Sequence, residues 1–228
     1  MQWSASYRSP SETGNCYACG RDITERIAEV EDSERLSRYT QVLESSHNEM
    51  RQALEQSNQD ANSDSLTGLL NRRGFEQAAA GELSRASRHR HSFGIAIFDI
   101  DYFKQVNDRH GHAVGDAVLI EVARRLDSNR RQYDLVGRWG GEEFVALFPE
   151  TDLNNSRQAA ERLALAIGAR QIVTDNIKLR ITISAGVVAV PDGTTGSLPD
   201  LVAAADEALT RAKENGRDRV EVGVLGAE

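Results

Sequence analysis

Apolar positions along the chain follow one pattern up to about residue 61 and another after it. Residues 22–61 hold no Pro or Gly and are rich in Glu, Gln, Arg and Ser, the composition of a long helix. From Leu36 a narrow stripe runs through Thr40, Leu43, His47, Met50, Leu54, Ser57 and Ala61. Its alternating steps of four and three are those of a coiled-coil seam. Ile23, Ile27 and Val30 join this register only through a stammer. The stripe is too narrow for packing on a globular core, so the segment is expected to be a stalk that pairs in parallel with a second copy. Several seam positions are polar, which makes the pair weak on its own. A solvent-exposed helix packed on its own domain is the alternative.

Beyond residue 62 the pattern alternates between periods. Helical stripes are predicted at about 71–88, 114–129, 152–169 and 198–215, and apolar strand-like runs near 93–98, 135–139, 143–148 and 180–190. This order, with a hairpin at its centre, predicts an α/β or α+β sheet with helices packed on it. No internal repeat is visible.

Composition narrows the class. The 228 residues suffice for one ordinary domain plus an extension, and the 27% charged and 39% apolar content is that of a globular protein. No apolar run approaches membrane-spanning length, and the N-terminus has no signal-peptide core, so a cytoplasmic protein without a membrane partner is expected. The net charge of −8 argues against a general nucleic-acid binder but not against a nucleotide site. Residues 1–21 are polar, irregular and expected to be flexible; they hold the only cysteines, Cys16 and Cys19. That Cys-x-x-Cys is half of a zinc ribbon, which a symmetric dimer could complete. A redox pair and two inert thiols are the other readings.

Two segments carry candidate chemistry. In Arg138-Trp139-Gly140-Gly141-Glu142-Glu143-Phe144, two glycines precede two carboxylates between apolar runs. This predicts a tight hairpin whose tip presents acids, either simply solvated or gathered around a cation. The apolar run Phe93–Phe98 ends in Asp99-Ile100-Asp101-Tyr102-Phe103-Lys104. Carboxylates at the end of a buried strand, then a short loop and a lysine, suit a Mg²⁺-nucleotide site. Asp99 could instead cap a helix starting near Tyr102, although capping needs neither a second acid nor the hairpin.

These segments, with others, resemble the GGDEF family of diguanylate cyclases. The others are Asp64-Ser65-Leu66-Thr67-Gly68-Leu69-Leu70-Asn71-Arg72-Arg73, Asn107-Asp108, Gly111-His112-Ala113-Val114-Gly115-Asp116, Ser184-Ala185-Gly186-Val187, Ala205-Asp206-Glu207-Ala208 and Ala212-Lys213-Glu214-Asn215-Gly216-Arg217. They stand in the family's order from residue 64 to about 220. Thr210 departs from the tyrosine usual there, which predicts a packing difference only.

The resemblance implies a GGDEF domain over 62–224, with a central, mainly antiparallel five-stranded sheet flanked by helices and related to nucleotidyl cyclase and polymerase palm folds. It implies condensation of two GTP into cyclic di-GMP and two pyrophosphates, each 3′-hydroxyl attacking the other nucleotide's α-phosphate. Asp99, the carbonyl of Ile100 and Glu142 are then metal ligands, for two Mg²⁺ per site with Mn²⁺ as an alternative. Glu142 is also the candidate to activate the 3′-hydroxyl, and Glu143 is a second acid for metal or proton. Lys104, with N–H groups of the Tyr102-Phe103 turn, neutralises phosphate, and Lys213 and Arg217 clasp the terminal phosphates. Asn107 and Asp116 read guanine; Asp116 can accept from donors that adenine lacks. Arg131 and Asp134 match an Arg-x-x-Asp product-inhibition site, with Arg162 as a further contributor. His112 is expected to be structural.

One such domain holds one GTP, so a homodimer through residues 22–61 is expected. A separate regulatory protein binding that stalk is the expected control. The competing readings are a non-catalytic GTP or cyclic di-GMP receptor, against which the intact Gly-Gly-Glu-Glu-Phe speaks, and a mixed-purine cyclase, against which Asp116 speaks.

Overall fold

The computed structural model describes residues 35, 39–51, 61–174, 177–191 and 196–225. The chain divides into two units, Met1–Ser57 and Asn58–Glu228. In the first, residues 39–51 are helical (α1), and Tyr39, Val42, Leu43 and Met50 are exposed on it. Thr40, Leu43, His47 and Met50 of the expected seam thus lie on a helix. Leu36, Leu54, Ser57, the 23–30 stretch and both cysteines lie outside the described residues.

The second unit runs α2 (Arg72–His89), β1 (Phe93–Ile100), α3 (Phe103–His110), α4 (His112–Asn129), β2 (Leu135–Gly140), β3 (Glu143–Pro149), α5 (Leu153–Gly168), β4 (Ile172–Thr174), β5 (Ile177–Leu179), β6 (Ile183–Val190), α6 (Leu198–Glu214) and β7 (Val220–Val222). Its five-stranded sheet has the order β2-β3-β1-β6-β7, and every pairing is antiparallel except β6 with β7. The expected fold class is therefore the observed one. Strand β1 lies at the centre and is buried along its whole length, which explains its unbroken apolar sequence.

Alternation along β1 builds two cores. Ile95 and Ile97 face Phe75 of α2 and Leu201 and Leu209 of α6. Phe98 and Ile100 face Val118 and Val122 of α4 and Leu163 of α5. Each face of the sheet is thus covered by helices. Among the described residues, no helix is long and apolar enough to cross a membrane.

The four expected helices match α2, α4, α5 and α6 to within a few residues, and three expected strands match β1, β2 and β3. The run at 180–190 is strand only from Ile183. Three features differ from the pattern reading. The loop expected before Lys104 is a single turn, and Lys104 is already inside helix α3, whose sequence is too polar to show an apolar stripe. The β4–β5 hairpin and β7 are each three residues per strand, too short to set a period.

Candidate active site

The site begins with sheet register. Asp99 is the penultimate residue of β1, flanked by Glu143 on β3 and Ser184 on β6. The β2–β3 hairpin then turns through Gly141 and Glu142, so the tip does present an acid, while Glu143 already belongs to the ladder. Gly141 has φ 50°, a conformation that favours glycine, whereas Gly140 has no neighbour that a Cβ would meet. The Ile100 N–H donates to the Glu142 carbonyl at 3.3 Å, tying the tip to the end of β1.

Arg138 fixes the same tip from below. Its Nε and Nη2 donate to the Gly141 carbonyl at 3.0 and 2.7 Å, and its Nη1 reaches both Asp64 oxygens. Asp64 also accepts from the N–H and hydroxyl of Thr67. Burial works against the Asp64 charge, but the bonds from Thr67 and Arg138 outweigh it and hold the carboxyl below its ordinary value. The Arg138 N–H donates to Leu70 O, so the 62–71 turn lies along β2. Neither Asp64 nor Arg138 stood among the expected site residues; only the motif match marked them.

Asp99, Glu142 and Glu143 all have raised pKa values. In each, burial is the main cause; Asp101 adds repulsion at Asp99, and Asp99 adds it at both glutamates. Glu143 is further raised by Asp206 of α6, a residue the chemical reading had not used. Two cations oppose this at Asp99: Lys213, whose Nζ lies 2.9 Å from Asp99 Oδ2, and Arg217; Lys213 also opposes it at both glutamates. The structure thus brings together Asp99, Ile100, Glu142, Glu143 and Lys213. It also decides the capping alternative for Asp99: α3 starts after Tyr102, which caps it without any side-chain bond.

The donor set fits a hard divalent ion. Three acids crowded at a partly buried edge, with pKa values raised by burial and mutual repulsion, are relieved by a metal charge. No cage of three or more acidic, His or Cys side chains forms among the described residues.

Around this centre stand the expected nucleotide contacts. Tyr102 adopts the left-handed conformation with φ 60°, and the Arg217 guanidinium lies over its ring at 4.6 Å. Phe103 is buried and Lys104 exposed in the first turn of α3. Asn107 on α3 lies against Gly115, the residue before Asp116 on α4: a Cβ at Gly115 would lie 1.9 Å from Asn107 Oδ1. Asp116 is exposed beside that contact, and His112, the first residue of α4, is exposed too. Thr210 is exposed on α6.

The Arg131–Asp134 pair forms a turn of its own between α4 and β2. Asp134 is buried and accepts from the Arg131 N–H at 2.8 Å, while Arg130 Nη1 reaches the Asp134 carbonyl at 3.1 Å. The Arg131 residue is exposed. Arg162 is on α5, with a buried Nη2 that has no hydrogen-bond partner among the described residues.

Comparison with known proteins gives one answer. The chain is 43% identical over 169 residues to the diguanylate cyclase DgcP of Pseudomonas aeruginosa, covering 74% of this chain and 25% of that protein. It spans between a quarter and a half of the length of the curated relatives it matches. The structure of the diguanylate cyclase SiaD of Pseudomonas aeruginosa, in complex with its activator SiaC, superposes with TM-score 0.70 at 35% identity, covering 88% of this chain and 76% of that one. The coiled coil and GGDEF domain of DgcB from Caulobacter crescentus, in complex with c-di-GMP, gives 0.73 at 28% identity over 84% and 98%. Residues 61–219 match the model described as diguanylate cyclase, GGDEF domain, and with the site lying inside that span the chain belongs to the GGDEF family.

Proposed function

We propose that this chain condenses two GTP molecules into cyclic di-GMP with release of two pyrophosphates, using divalent metal. The observation that carries the reading is the acidic edge itself. Asp99, Glu142 and Glu143 meet where β1 ends, and their pKa values stay raised although Lys213, and at Asp99 also Arg217, oppose the shift. Such an edge is costly to keep unless charge is to be bound there.

Asp99, the Ile100 carbonyl and Glu142 would hold the metal, with Glu143 as a further acid. When bound, the ion would polarise phosphate oxygens and offset charge at the transferring phosphoryl group. The rest is positioning by protein groups. The Glu142 carboxylate, with its raised pKa, is suited to take the proton of the 3′-hydroxyl. Lys104, Lys213 and Arg217 offset the charge of the departing pyrophosphate. Asp116 selects guanine by accepting from its N1–H and N2–H donors, and the Asn107 amide serves the other edge. The exposed Arg131, with Asp134 and Arg162, receives product and slows the enzyme.

Each domain presents one such site, so two must face each other to make a symmetric product. The stalk at 22–61 supplies the pairing, and a separate protein bound to it sets the alignment. The complex of SiaD with its activator supports control by a separate protein. Incubation with GTP, with ATP and with both, plus Mg²⁺ or Mn²⁺, followed by product identification, tests the reading. Cyclic di-GMP from GTP alone is expected. A mixed product, or binding of GTP without turnover under any condition of dimerisation, would replace it by the mixed-purine or receptor reading.

A further inference from the structure

Asp101 is the acid of the Asp99–Lys104 run that the proposed chemistry leaves unused. It is 5% exposed, yet three groups from two distant parts of the chain donate to its carboxylate. Thr182 Oγ1 reaches Oδ2 at 2.6 Å, Ser184 Oγ reaches Oδ1 at 2.7 Å, and the Asp218 N–H reaches Oδ2 at 3.1 Å. The Asp101 N–H in turn donates to Thr182 O at 3.0 Å. A buried carboxylate persists only when satisfied in this way. Thr182 and Ser184 stand where β6 begins, and Asp218 stands in the turn after α6.

That turn is an unusual one. Gly216, Arg217 and Asp218 have φ of 109°, 63° and 48°, values that residues with a Cβ avoid. Such backbone persists where its surroundings over-determine it. Here the Arg217 N–H is held by Ala212 O at 3.0 Å and the Asp218 N–H by Asp101. Between those two fixed points, the Arg217 side chain extends over Tyr102, the residue next to Asp101.

We infer that Asp101 is a positioning residue: its carboxylate ties the Gly216–Asp218 turn to the ends of β1 and β6, and so sets Arg217 at the terminal-phosphate end of the nucleotide site. The inference deepens the GTP reading above and rests on it. Asp101 touches neither nucleotide nor reacting atoms; it acts through Arg217. Asn in its place keeps the size but removes the charge that strengthens the bond from the Asp218 N–H, and its amide nitrogen must be accepted by a hydroxyl that now donates.

The test is equilibrium titration of the full chain, with Mg²⁺, against a non-hydrolysable GTP analogue and against GMP, which lacks the terminal phosphates. Wild type should prefer the GTP analogue. Asp101→Asn should weaken the analogue about tenfold and leave GMP within about twofold, the scale of one lost charge-assisted bond. Arg217→Ala should lose the same preference, and the double variant no more than Arg217→Ala alone. Additive losses, or equal weakening of both nucleotides, would show a merely structural role and overturn the inference. Should Asp101→Asn not fold, Thr182→Val with Ser184→Ala frees the carboxylate to leave Asp218. This pair should lose analogue affinity selectively by about threefold, a smaller effect because the carboxylate and its bond to the Asp218 N–H are not themselves removed; an unchanged ratio overturns the inference. A wild-type chain without preference for the GTP analogue removes the nucleotide reading itself. A preference that survives Asp101→Asn removes this inference alone.

Discussion

Asp64 and Arg138 are 74 residues apart in sequence, and one guanidinium nitrogen of Arg138 lies 3.1 Å from both Asp64 oxygens. The same arginine holds the Gly141 carbonyl, so the entrance of the domain and the acidic tip share one side chain. Arg138→Lys should lose the planar fork and keep only a point charge. We predict a stability loss of about 1–3 kcal/mol, or about 3–8 °C in melting temperature, with turnover down about tenfold. A variant that melts and turns over like wild type would show that the tip does not depend on this tie.

Glu142→Gln should lower cyclic di-GMP formation by about three orders of magnitude, because it removes a ligand charge and a proton acceptor together. Its effect on the metal-free fold should have the opposite sign. A carboxyl with a raised pKa weakens the fold when ionised, and that penalty disappears as it protonates. The Glu142→Gln variant should therefore melt about 1 °C above wild type at pH 7, a small gain because the group is partly solvated. The gap should close as pH falls toward the ordinary value of 4.5. Scanning calorimetry from pH 4 to 8 without metal checks this; a gap that widens on acidification sinks it.

Gly115→Ala tests the guanine pocket. The added methyl would overlap Asn107 Oδ1 and push that amide aside without touching the acidic edge. GTP affinity should fall about tenfold and discrimination against ATP should narrow, since a guanine contact is lost. Unchanged affinity for both nucleotides would place the base elsewhere.

The exposed position of Arg131 makes it available to a ligand without being part of the fold. Arg131→Ala should leave the initial rate within about twofold, because it lies off the metal site, while raising the concentration of added cyclic di-GMP needed for half-inhibition about tenfold or more. Equal inhibition of wild type and variant would remove the inhibitory role.

The sequence was most readable where burial is periodic. The helices α2, α4, α5 and α6 showed their stripes, and β1 showed its fully buried run. What escaped notice was short or non-local. Three-residue strands set no period, and α3 carries a polar sequence with one buried residue. The acids Asp99 and Glu142 were visible because strand end and hairpin tip announce themselves in sequence. The roles of Asp64, Asp101 and Asp206 were not, since each depends on a partner from another part of the chain: Arg138, Asp218 and Glu143. Asp101 appeared only as a second acid beside Asp99.

Removal of residues 1–57 tests control by the stalk, because Asn58–Glu228 is a compact unit. The truncated chain should fold, remain mainly monomeric and lose most activity at low protein concentration, with recovery as concentration rises. Proximity of two reactants contributes several kcal/mol to a barrier, about 7–11 in favourable cases, so pairing is a sufficient switch. Full activity in dilute solution would show that the stalk is not the control element.

The ion pair between Lys213 and Asp99 has a consequence for the order of events. A bare divalent ion arriving at the edge must compete with an ammonium group already seated on one of its oxygen ligands. An ion arriving on a nucleotide brings its own anions, and these give the ammonium somewhere else to go. If Asp99 holds metal as proposed, the lysine would be a resident counter-charge that yields to cargo and resists solution ions. The edge should stay shut to free metal and open to metal that comes already escorted by phosphate.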